Sequence, residues 1–435
     1  MRFLYNTVFT VFFLLLLPYY GLRLWRRSNW KSGFGQRFGF YSKTVVEHLR
    51  GNRVIWFHAV SVGEVNLCAL LVKRLGERFG GWAIVVSTTT TTGMGELQRK
   101  LPEEIVKVYY PIDFSLSVNR ALRVIHPEIV VLVEAEIWPN LLWRLADQKI
   151  PCFLINARLS DRSAKRYQEF SALFQSVFST FAGVGVQDEQ DAKTLELVGC
   201  RPDSVRVTGN LKFDAVDLPT AHAIDSRALV RWAGAKENAI ILLGSSTHAG
   251  EERWFGEIFL RLRHRFEDLF LVMVPRHFER AAAVARELGA LRIKTRLRSR
   301  FGAEPAAAFG AGDCLIVDST GELCFFYNLA SVVVIGKSFL AHGGQNPIEA
   351  ASVGCPIVTG PFMENFRVIM KMFLDKDGLV QVENVDDLES TLAELLSDRG
   401  RRSDLGRRAQ AVVDENRGGI ERSIAMIEPY LRDAS

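Results

Sequence analysis

Residues 239–275 read AIILLGSSTHAGEERWFGEIFLRLRHRFEDLFLVMVP, and the fold class is inferred from this stretch outward. Two apolar runs, 240–244 and 269–274, flank a longer amphipathic segment. Short apolar runs without polar alternation are typical of parallel strands whose two faces are both covered by helices. The stretch therefore predicts a strand, a helix and a second parallel strand, which is the repeating unit of a doubly wound α/β domain.

The same rhythm occurs in two series along the chain. The first series predicts strands at Val54–Ala59, Ala83–Ser87, Val106–Tyr110, Ile129–Glu134, Cys152–Asn156, Gly183–Gln187 and Ser204–Thr208. The second series predicts strands at Ile240–Gly244, Leu269–Val274, Cys314–Asp318, Val332–Ile335, Pro356–Thr359 and Gly378–Val382. Two doubly wound domains follow, and ligands are expected beyond the carboxyl ends of their strands.

Domain boundaries are predicted from changes in composition. We expect a membrane anchor at 1–22, a basic juxtamembrane segment at 23–50, a first domain at 51–214, a linker at 215–238 and a second domain with the final helix at 239–435. A chain of 435 residues is too long for one hydrophobic core, which agrees with two domains.

The composition is that of a globular protein, with 48% hydrophobic and 24% charged residues. The 54 basic and 49 acidic residues give a net charge of +5, which is too balanced for a nucleic-acid-binding surface. Six cysteines without a CxxC pair indicate reduced core residues in a cytosolic setting.

The N-terminal segment Phe3–Leu22 has no charged residue and is followed by a basic cluster at 23–37. As a helix it would reach about 30 Å, the thickness of the hydrocarbon layer. A half-inserted helix and a cleaved signal peptide are the alternatives. The basic cluster predicts that the rest of the chain lies on the cytoplasmic side, against anionic headgroups.

Charged side chains follow strands of the first series. Glu64 in HAVSVGE is suited to act as a base, or it only complements the dipole of the next helix. Glu134 and Glu136 in VEAEIWPN are predicted to alternate across the pleat at a strand end. Because unpaired buried carboxylates are costly, either a salt bridge to Arg158 or pairing with Glu64 is expected. Lys212 in GNLKFD suits a phosphate or carboxylate, or is a solvated loop lysine.

Three strand ends of the second series carry polar groups. GSSTHAGEE at 244–252 is either an anion site or an ordinary N-cap with acidic residues matched to the helix dipole. Arg276 follows a buried strand and is suited to bidentate phosphate binding, whereas we expect His277 to be a core residue. DSTGEL at 318–323 is another polar turn that enters a helix.

The segment 336–361, GKSFLAHGGQNPIEAASVGCPIVTGP, is the most specific. Its glycine pair at 343–344 allows close backbone approach, Asn346 can cap a helix, Pro347 suits the first helical position and Glu349 lies in the first turn. A nucleotide site is favoured here over a structural turn.

The cofactor motifs searched for are missing from the sequence. It contains no GxxxxGK[ST] or GxGxxG after a strand and no HExxH, and Asp375-Lys376-Asp377 is interpreted as a turn. We therefore expect no metal and no other cofactor.

An ordered set of motifs is more specific than any one of them. SVGE, STTTTTG, YYPIDF, EAEIWPN, INARLSDRS, TGNLKFD, GSSTHAGEE, VPRH, TGEL and GGQNPIEAA occur in this order, and with the N-terminal segment they extend the similarity to about Tyr430. The set resembles the 3-deoxy-D-manno-octulosonic acid (Kdo) transferases of lipopolysaccharide assembly. The resemblance implies a GT-B glycosyltransferase, with two Rossmann-like domains that face a cleft and an N-terminal anchor helix. It also implies transfer of Kdo from CMP-Kdo to a lipid A precursor (lipid IVA) at the cytoplasmic face of the inner membrane.

The resemblance also implies roles for individual residues. Glu64 matches the catalytic base, and Glu136 and Lys212 match residues that stabilise the transition state. The implied CMP contacts are Pro275, Arg276, Thr320, Gly321, Glu322, Asn346, Pro347, Ile348 and Glu349. A positioned carboxylate base contributes about 10²–10⁴-fold to such a transfer, and a leaving monophosphate can be stabilised by cations of the protein without a metal.

Two positions depart from the pattern of the family. Gln345 stands where a histidine is expected, and Lys337 stands where a glycine is expected before the serine. Both changes bear on donor affinity more than on the class of reaction. The alternatives are another GT-B enzyme, such as a UDP-sugar transferase or a nucleotide-sugar 2-epimerase, and an inactive membrane-tethered scaffold. The membrane anchor and the SVGE motif argue against the first, and the full set of candidate catalytic residues argues against the second.

Overall fold

The computed structural model of the chain describes residues 2–25, 33–134, 136–216, 224–302 and 312–432. The chain divides into two compact units, residues 1–215 with 417–435 and residues 216–416. Each unit is built on one seven-stranded parallel sheet with helices, so the predicted fold of two doubly wound α/β domains is confirmed.

The sheet of the first unit has the order β3-β2-β1-β4-β5-β6-β7. Its strands are Arg53–His58 (β1), Trp82–Thr88 (β2), Val106–Tyr109 (β3), Pro127–Val133 (β4), Cys152–Ala157 (β5), Gly183–Val186 (β6) and Val205–Val207 (β7). Its helices up to that point are Arg2–Trp25 (α1), Lys43–Leu49 (α2), Val62–Arg78 (α3), Thr91–Lys100 (α4), Ser115–Ile125 (α5), Pro139–Asp147 (α6), Asp161–Glu169 (α7), Ser171–Phe178 (α8) and Glu189–Val198 (α9). The strand order reverses between β1 and β4, and ligands bind at such a reversal in doubly wound sheets.

Neighbouring residues of the central strands enter two separate cores. Trp56 and Leu132 belong to the core on one face of the sheet, whereas Phe57 and Val131 belong to the core on the other face. All four side chains are fully buried. This two-sided burial explains why the strands read as continuous apolar runs.

The sheet of the second unit has the order β10-β11-β9-β8-β12-β13-β14 and reverses between β8 and β12. Its helices are Ser226–Ala233 (α10), Glu251–Arg263 (α11), Ala281–Ala290 (α12), Leu323–Tyr327 (α13), Ile348–Ser352 (α14), Arg367–Leu374 (α15), Val385–Ser397 (α16) and Arg399–Asn416 (α17). Its strands are Ile240–Thr247 (β8), Leu269–Pro275 (β9), Thr295–Leu297 (β10), Cys314–Ile316 (β11), Val332–Ile335 (β12), Ile357–Thr359 (β13) and Val380–Gln381 (β14).

The structure departs from the sequence interpretation at three places. The edge strand β10 was not predicted, because three residues are too few to show a period. The predicted linker at 215–238 contains α10, whose Leu229 and Trp232 are buried in the second unit. The strand predicted to end at Glu134 ends at Val133, so the two glutamates that follow do not alternate across a pleat.

The final helix, Gly419–Arg432 (α18), was predicted in the second domain but belongs to the first unit. Its buried residues Ile420, Ile424 and Ile427 complete the core that contains Phe57. The carboxylate of Asp214 accepts two hydrogen bonds at the start of this helix. One comes from the backbone nitrogen of Gly418, just before the helix, at 2.6 Å, and the other from that of Ile420, inside it, at 2.8 Å. The apolar face of α18 thus fills a surface of the first sheet that lies far from it in the sequence.

The N-terminal helix α1 packs on the first unit along one side. Arg2 makes a bidentate ion pair with Asp147 at 2.7 and 2.9 Å, and the hydroxyl of Tyr5 donates to Asp113 at 2.9 Å. The rings of Phe9 and Phe13 pack edge-on against Phe114. Polar and aromatic contacts therefore fix the first half of α1 against the protein.

The other side of α1 is apolar and exposed, with exposed fractions of 85% at Phe3, 60% at Phe12 and 73% at Leu15. In the part of the chain that the structure describes, we find no helix with the length and apolar character needed to cross a membrane. The predicted anchor is therefore not confirmed. Much of the predicted basic cluster, residues 26–32, lies outside the described residues.

Candidate active site

Glu64 lies at the carboxyl end of β1, beside the reversal of the first sheet. Ser61 caps α3, and its hydroxyl accepts from the backbone nitrogen of Glu64 at 3.2 Å. In return the Glu64 carboxylate accepts from the backbone nitrogens of Val60 at 2.9 Å and Ser61 at 3.3 Å. This reciprocal capping box fixes a carboxylate that is only 8% exposed. The residue therefore stabilises the helix start and is held rigidly at the position where a ligand would bind.

Glu134 is the first residue beyond β4 and has a left-handed backbone, with φ of 64°. Its Oε1 accepts from the Asn156 side-chain amide at 3.3 Å. Burial raises the pKa of Glu134, Lys212 lowers it, Glu64 raises it by like-charge repulsion, and Arg158 lowers it; the net direction is upward. Glu134 thus shares the electrostatic environment of Glu64 and Lys212.

Glu136 has different partners. Its Oε2 accepts from the Trp138 indole at 2.8 Å and lies 3.7 Å from His58 Nε2, which is beyond hydrogen-bonding distance. His58 is fully buried and stacks on Tyr110, with a ring separation of 3.9 Å. Burial raises the pKa of Glu136, but His58 and the indole more than offset this, so the net direction is downward. The transition-state role predicted for Glu136 stays a prediction.

Lys212 lies in a short 3-10 turn, Leu211–Phe213, whose two apolar residues are buried. The side chain of Asn210 accepts from the backbone nitrogen of Lys212 at 3.0 Å. Asn156 accepts from the backbone nitrogen of Leu211 at 3.1 Å. Lys212 itself is half-buried, so the predicted solvated loop lysine is the less suitable description.

In the second unit, the polar motifs follow the adjacent strands β11, β9, β8 and β12. The hydroxyls of GSSTHAGEE do not cap α11, because Ser245 and Thr247 lie within β8. Ser245 is hydrogen-bonded to the Tyr327 hydroxyl at 2.9 Å, and Thr247 donates to Glu252 at 3.1 Å. The N-cap of α11 is Gly250, and the predicted hydroxyl cap is wrong.

Glu251 joins the two strand ends at the reversal of the second sheet. Its Oε2 accepts from the backbone nitrogens of His248 at 2.8 Å and Lys337 at 2.9 Å. The two turns approach so closely that a Cβ at Gly336 would lie 2.4 Å from the backbone oxygen of Ser246. Only glycine at position 336 permits this approach without a shift of the backbone.

Cationic side chains gather at these strand ends. Burial lowers the pKa of His248, its bond to a backbone carbonyl raises it, and the nearby Lys337, His277 and Arg276 lower it further; the net direction is downward. The rings of His248 and His277 lie 6.1 Å apart. His277 and Arg276 are exposed, so the prediction of a core histidine is wrong. Arg276 and Lys337 therefore bring two cations near His248, and such cations suit an anionic ligand.

The remaining predicted CMP contacts lie at the end of β9 and around α13 and α14. Pro275 is the buried last residue of β9, Thr320 is exposed and Gly321 has φ of 83°. The carboxylate of Glu322 receives a bidentate pair from Arg298, with both distances 2.8 Å. That arginine partner was not foreseen from the sequence.

The start of α14 has the predicted character with a shift of one residue. Asn346 accepts from the backbone nitrogen of Ile348 at 3.1 Å, and Pro347 is the cap residue before the helix. Burial raises the pKa of Glu349, and Arg276 partly offsets it. Burial also raises the pKa of the Cys324 thiol on α13, and the carboxylates of Glu349 and Glu322 add to this. The structure therefore places TGEL, at the start of α13, close to NPIE, at the start of α14.

Three residues important to these sites were missed by reasoning from the sequence. His58, Asn156 and Glu251 are buried polar residues, and each has at least one partner that is far away in sequence. The only local signal is for Asn156 and is weak, since asparagine tolerates the left-handed backbone better than most residues.

Two Rossmann-like units, each with charged side chains beyond the carboxyl ends of its parallel strands, have the architecture of the GT-B class of glycosyltransferases. Comparisons with known proteins identify the family. The sequence profile described as 3-deoxy-D-manno-octulosonic-acid transferase (kdotransferase) matches residues 32–215, and that of glycosyl transferases group 1 matches residues 315–412. The chain belongs to the 3-deoxy-D-manno-octulosonic acid transferase family.

The relatives extend over the whole chain. The 3-deoxy-D-manno-octulosonic acid transferase of Haemophilus influenzae is 30% identical over 432 residues, which cover 99% of each chain. That of Bordetella pertussis is 30% identical over 437 residues, which cover 98% of this chain and 99% of the relative. The UDP-GlcNAc 2-epimerase from Neisseria meningitidis, bound to UDP-GlcNAc, is 13% identical, covers 87% of this chain and 100% of its own, and has a TM-score of 0.60. This last similarity concerns the fold alone.

Proposed function

We propose that this glycosyltransferase moves Kdo from CMP-Kdo to a lipid A precursor (lipid IVA), with inversion at the anomeric carbon. The observation that carries the proposal is the Glu64 carboxylate, which two backbone N–H groups hold beyond the carboxyl end of β1, beside the reversal of the first sheet. Full-length similarity to curated Kdo transferases supports the choice of sugar.

In this proposal Glu64 is the base. The two oxygens of its carboxylate each accept one backbone N–H, which fixes their direction and leaves lone pairs for an acceptor hydroxyl. The proton of that hydroxyl moves to Glu64 as the new bond to the anomeric carbon forms. The bond between that carbon and the phosphate oxygen breaks, and its electron pair leaves with CMP.

The negative charge of the donor is offset by side chains. Arg276 and Lys337 give the second unit two cations at this edge that can receive the phosphate and the sugar carboxylate. Lys212 supplies a cation in the first unit, beside Glu134. We propose on this basis that the transfer needs no metal.

We further propose that the protein works at the cytoplasmic face of the inner membrane, where α1 meets the lipid interface. The exposed apolar side of α1, with Phe12 and Leu15, suits insertion among lipid headgroups, and the basic residues that follow suit anionic lipids. Flotation with anionic vesicles tests this. The Phe12→Asp, Leu15→Asp double variant should lose binding, whereas Leu197→Asp, which changes a residue that is 70% exposed on α9, should retain it. Equal binding of all variants would refute the role of α1.

The experiment that tests the reaction is product analysis by mass spectrometry. Solubilised protein is mixed with lipid A precursor and freshly generated CMP-Kdo, with EDTA in a parallel reaction. A product heavier by one or more Kdo units in both reactions supports the donor, the acceptor and metal independence. Transfer that EDTA abolishes would overturn the proposal of metal independence. Absence of transfer with retained CMP binding would overturn the acceptor.

A further inference from the structure

We propose that Asn156 is a positioning residue of the active site, which holds the Glu134 carboxylate and the Lys212 turn together so that the two charges face each other beside Glu64. The inference rests on the proposed function, because it assigns a role within the same reaction centre.

The side chain of Asn156 uses both ends of its amide. Its Nδ2 donates to Glu134 Oε1 at 3.3 Å, and its Oδ1 accepts from the backbone nitrogen of Leu211 at 3.1 Å. A carboxylate only accepts and a backbone N–H only donates, so the partners themselves determine the orientation of the amide. Asn156 is completely buried, and its own carbonyl accepts from Gln187 at 3.3 Å. The residue is therefore a fixed link between β4 and the turn that carries Lys212.

The backbone is strained at both ends of one of these hydrogen bonds. Val133 of β4 pairs with Ile155 of β5, and the next residues along the two strands are Glu134 and Asn156. Both have positive φ, 64° and 52°. Left-handed residues other than glycine persist where the surrounding structure holds them, and they concentrate at functional sites. Two of them side by side turn their side chains towards each other at the edge where a ligand binds.

Charge explains why this link matters to the reaction. Burial and Glu64 raise the pKa of Glu134, while Lys212, the hydrogen bond from Asn156 and Arg158 lower it. Loss of the amide would remove one donor from the Glu134 carboxylate and one anchor from the Lys212 turn. A displacement of about 1 Å at a reaction centre can cost about 10²-fold in rate.

Two variants keep the backbone conformation and change only the link. Asn156→Gly tolerates positive φ and removes both hydrogen bonds, so kcat should fall by about 10–100-fold while CMP affinity stays within about twofold. Asn156→Asp retains an oxygen that accepts from the backbone nitrogen of Leu211, but it places a second carboxylate opposite that of Glu134. We expect the acidic limb of its kcat/KM profile to move to higher pH by about one unit, more than in the glycine variant, because like charges raise each other's pKa.

A matched control is Lys149→Gly, since Lys149 is exposed, belongs to the same unit and has φ of 57°. It should leave kcat unchanged. Wild-type kcat in folded Asn156→Gly, or a wild-type pH profile in Asn156→Asp, would overturn the positioning role. If Asn156→Gly does not fold, the pH profile of Asn156→Asp decides whether the positioning role holds. Full activity of Glu64→Gln would overturn the assignment of Glu64 as the base, but it would leave the pH profile expected for Asn156→Asp unchanged. Failure of one assignment is therefore distinguishable from failure of the other.

Discussion

Replacement of Glu64 by glutamine separates the two tasks that its carboxylate performs. The carboxylate accepts two backbone hydrogen bonds at the start of α3, and in the proposed reaction it also takes the proton of the acceptor. Glutamine can serve in a capping box but cannot act as a base. Ser61→Ala does the reverse, because it removes the hydroxyl that caps the nitrogen of residue 64 and leaves the carboxylate in place.

The expected magnitudes differ by task. Loss of a general base lowers kcat by about 10²–10⁴-fold, or roughly 3–5 kcal/mol of transition-state free energy. Glutamine has one oxygen instead of two, so Glu64→Gln should lose one backbone hydrogen bond to a charged acceptor and about 1–2 kcal/mol in the free energy of unfolding. Ser61→Ala should lose about 1 kcal/mol of stability and less than about tenfold in rate.

The assay compares initial rates of Kdo transfer with urea unfolding and with CMP binding by calorimetry. Glu64→Gln should retain CMP affinity and a similar unfolding midpoint to Ser61→Ala, yet be far slower. A Glu64→Gln rate within tenfold of wild type would refute the base assignment. An equal loss of rate in Ser61→Ala would show that the helix start, and not the carboxylate, limits activity.

Three further predictions concern the two units. Burial raises the pKa of Asp113 to about 6, so its stabilising contribution is complete below about pH 4 and is lost as pH rises through 6. Tyr5→Phe removes the hydroxyl that donates to the ionised Asp113 carboxylate. In urea titrations it should therefore lower the free energy of unfolding by about 1–2 kcal/mol at pH 8 and by less at pH 5. Gly336→Ala places a Cβ 2.4 Å from a backbone oxygen and should destabilise the second unit by about 1–3 kcal/mol; hydrogen exchange that slows or stays unchanged there would contradict this. Arg280→Leu leaves the fully buried Glu252 without its cation and should cost about 3 kcal/mol in unfolding free energy, with partial recovery when Glu252→Gln is added.

The fold class could be predicted from local patterns. A strand covered on both faces is apolar at every position, as in residues 240–244 and 269–274, and this requires no knowledge of which strand is its neighbour. The same holds for the candidate residues at strand ends, because parallel strands place all their carboxyl ends at one edge. Glu64, Arg276 and Glu349 were found in this way, and the structure places each of them beyond a strand of the predicted sheets.

The rest depended on contacts between residues distant in sequence. The sequence alone could not show that Glu134 and Glu136 have different partners, since these partners follow from the end of β4 at Val133 and from the link that Asn156 makes between Glu134 and the turn of Lys212. It also could not assign α18 to the first unit, because an amphipathic helix does not specify which core its apolar face will complete. The sequence by itself therefore determined the class of fold and the kind of chemistry, through local hydrophobic pattern and motif order. Tertiary structure alone decided which charges meet, because hydrogen bonds and electrostatic interactions depend on distances in space and not on separation along the chain.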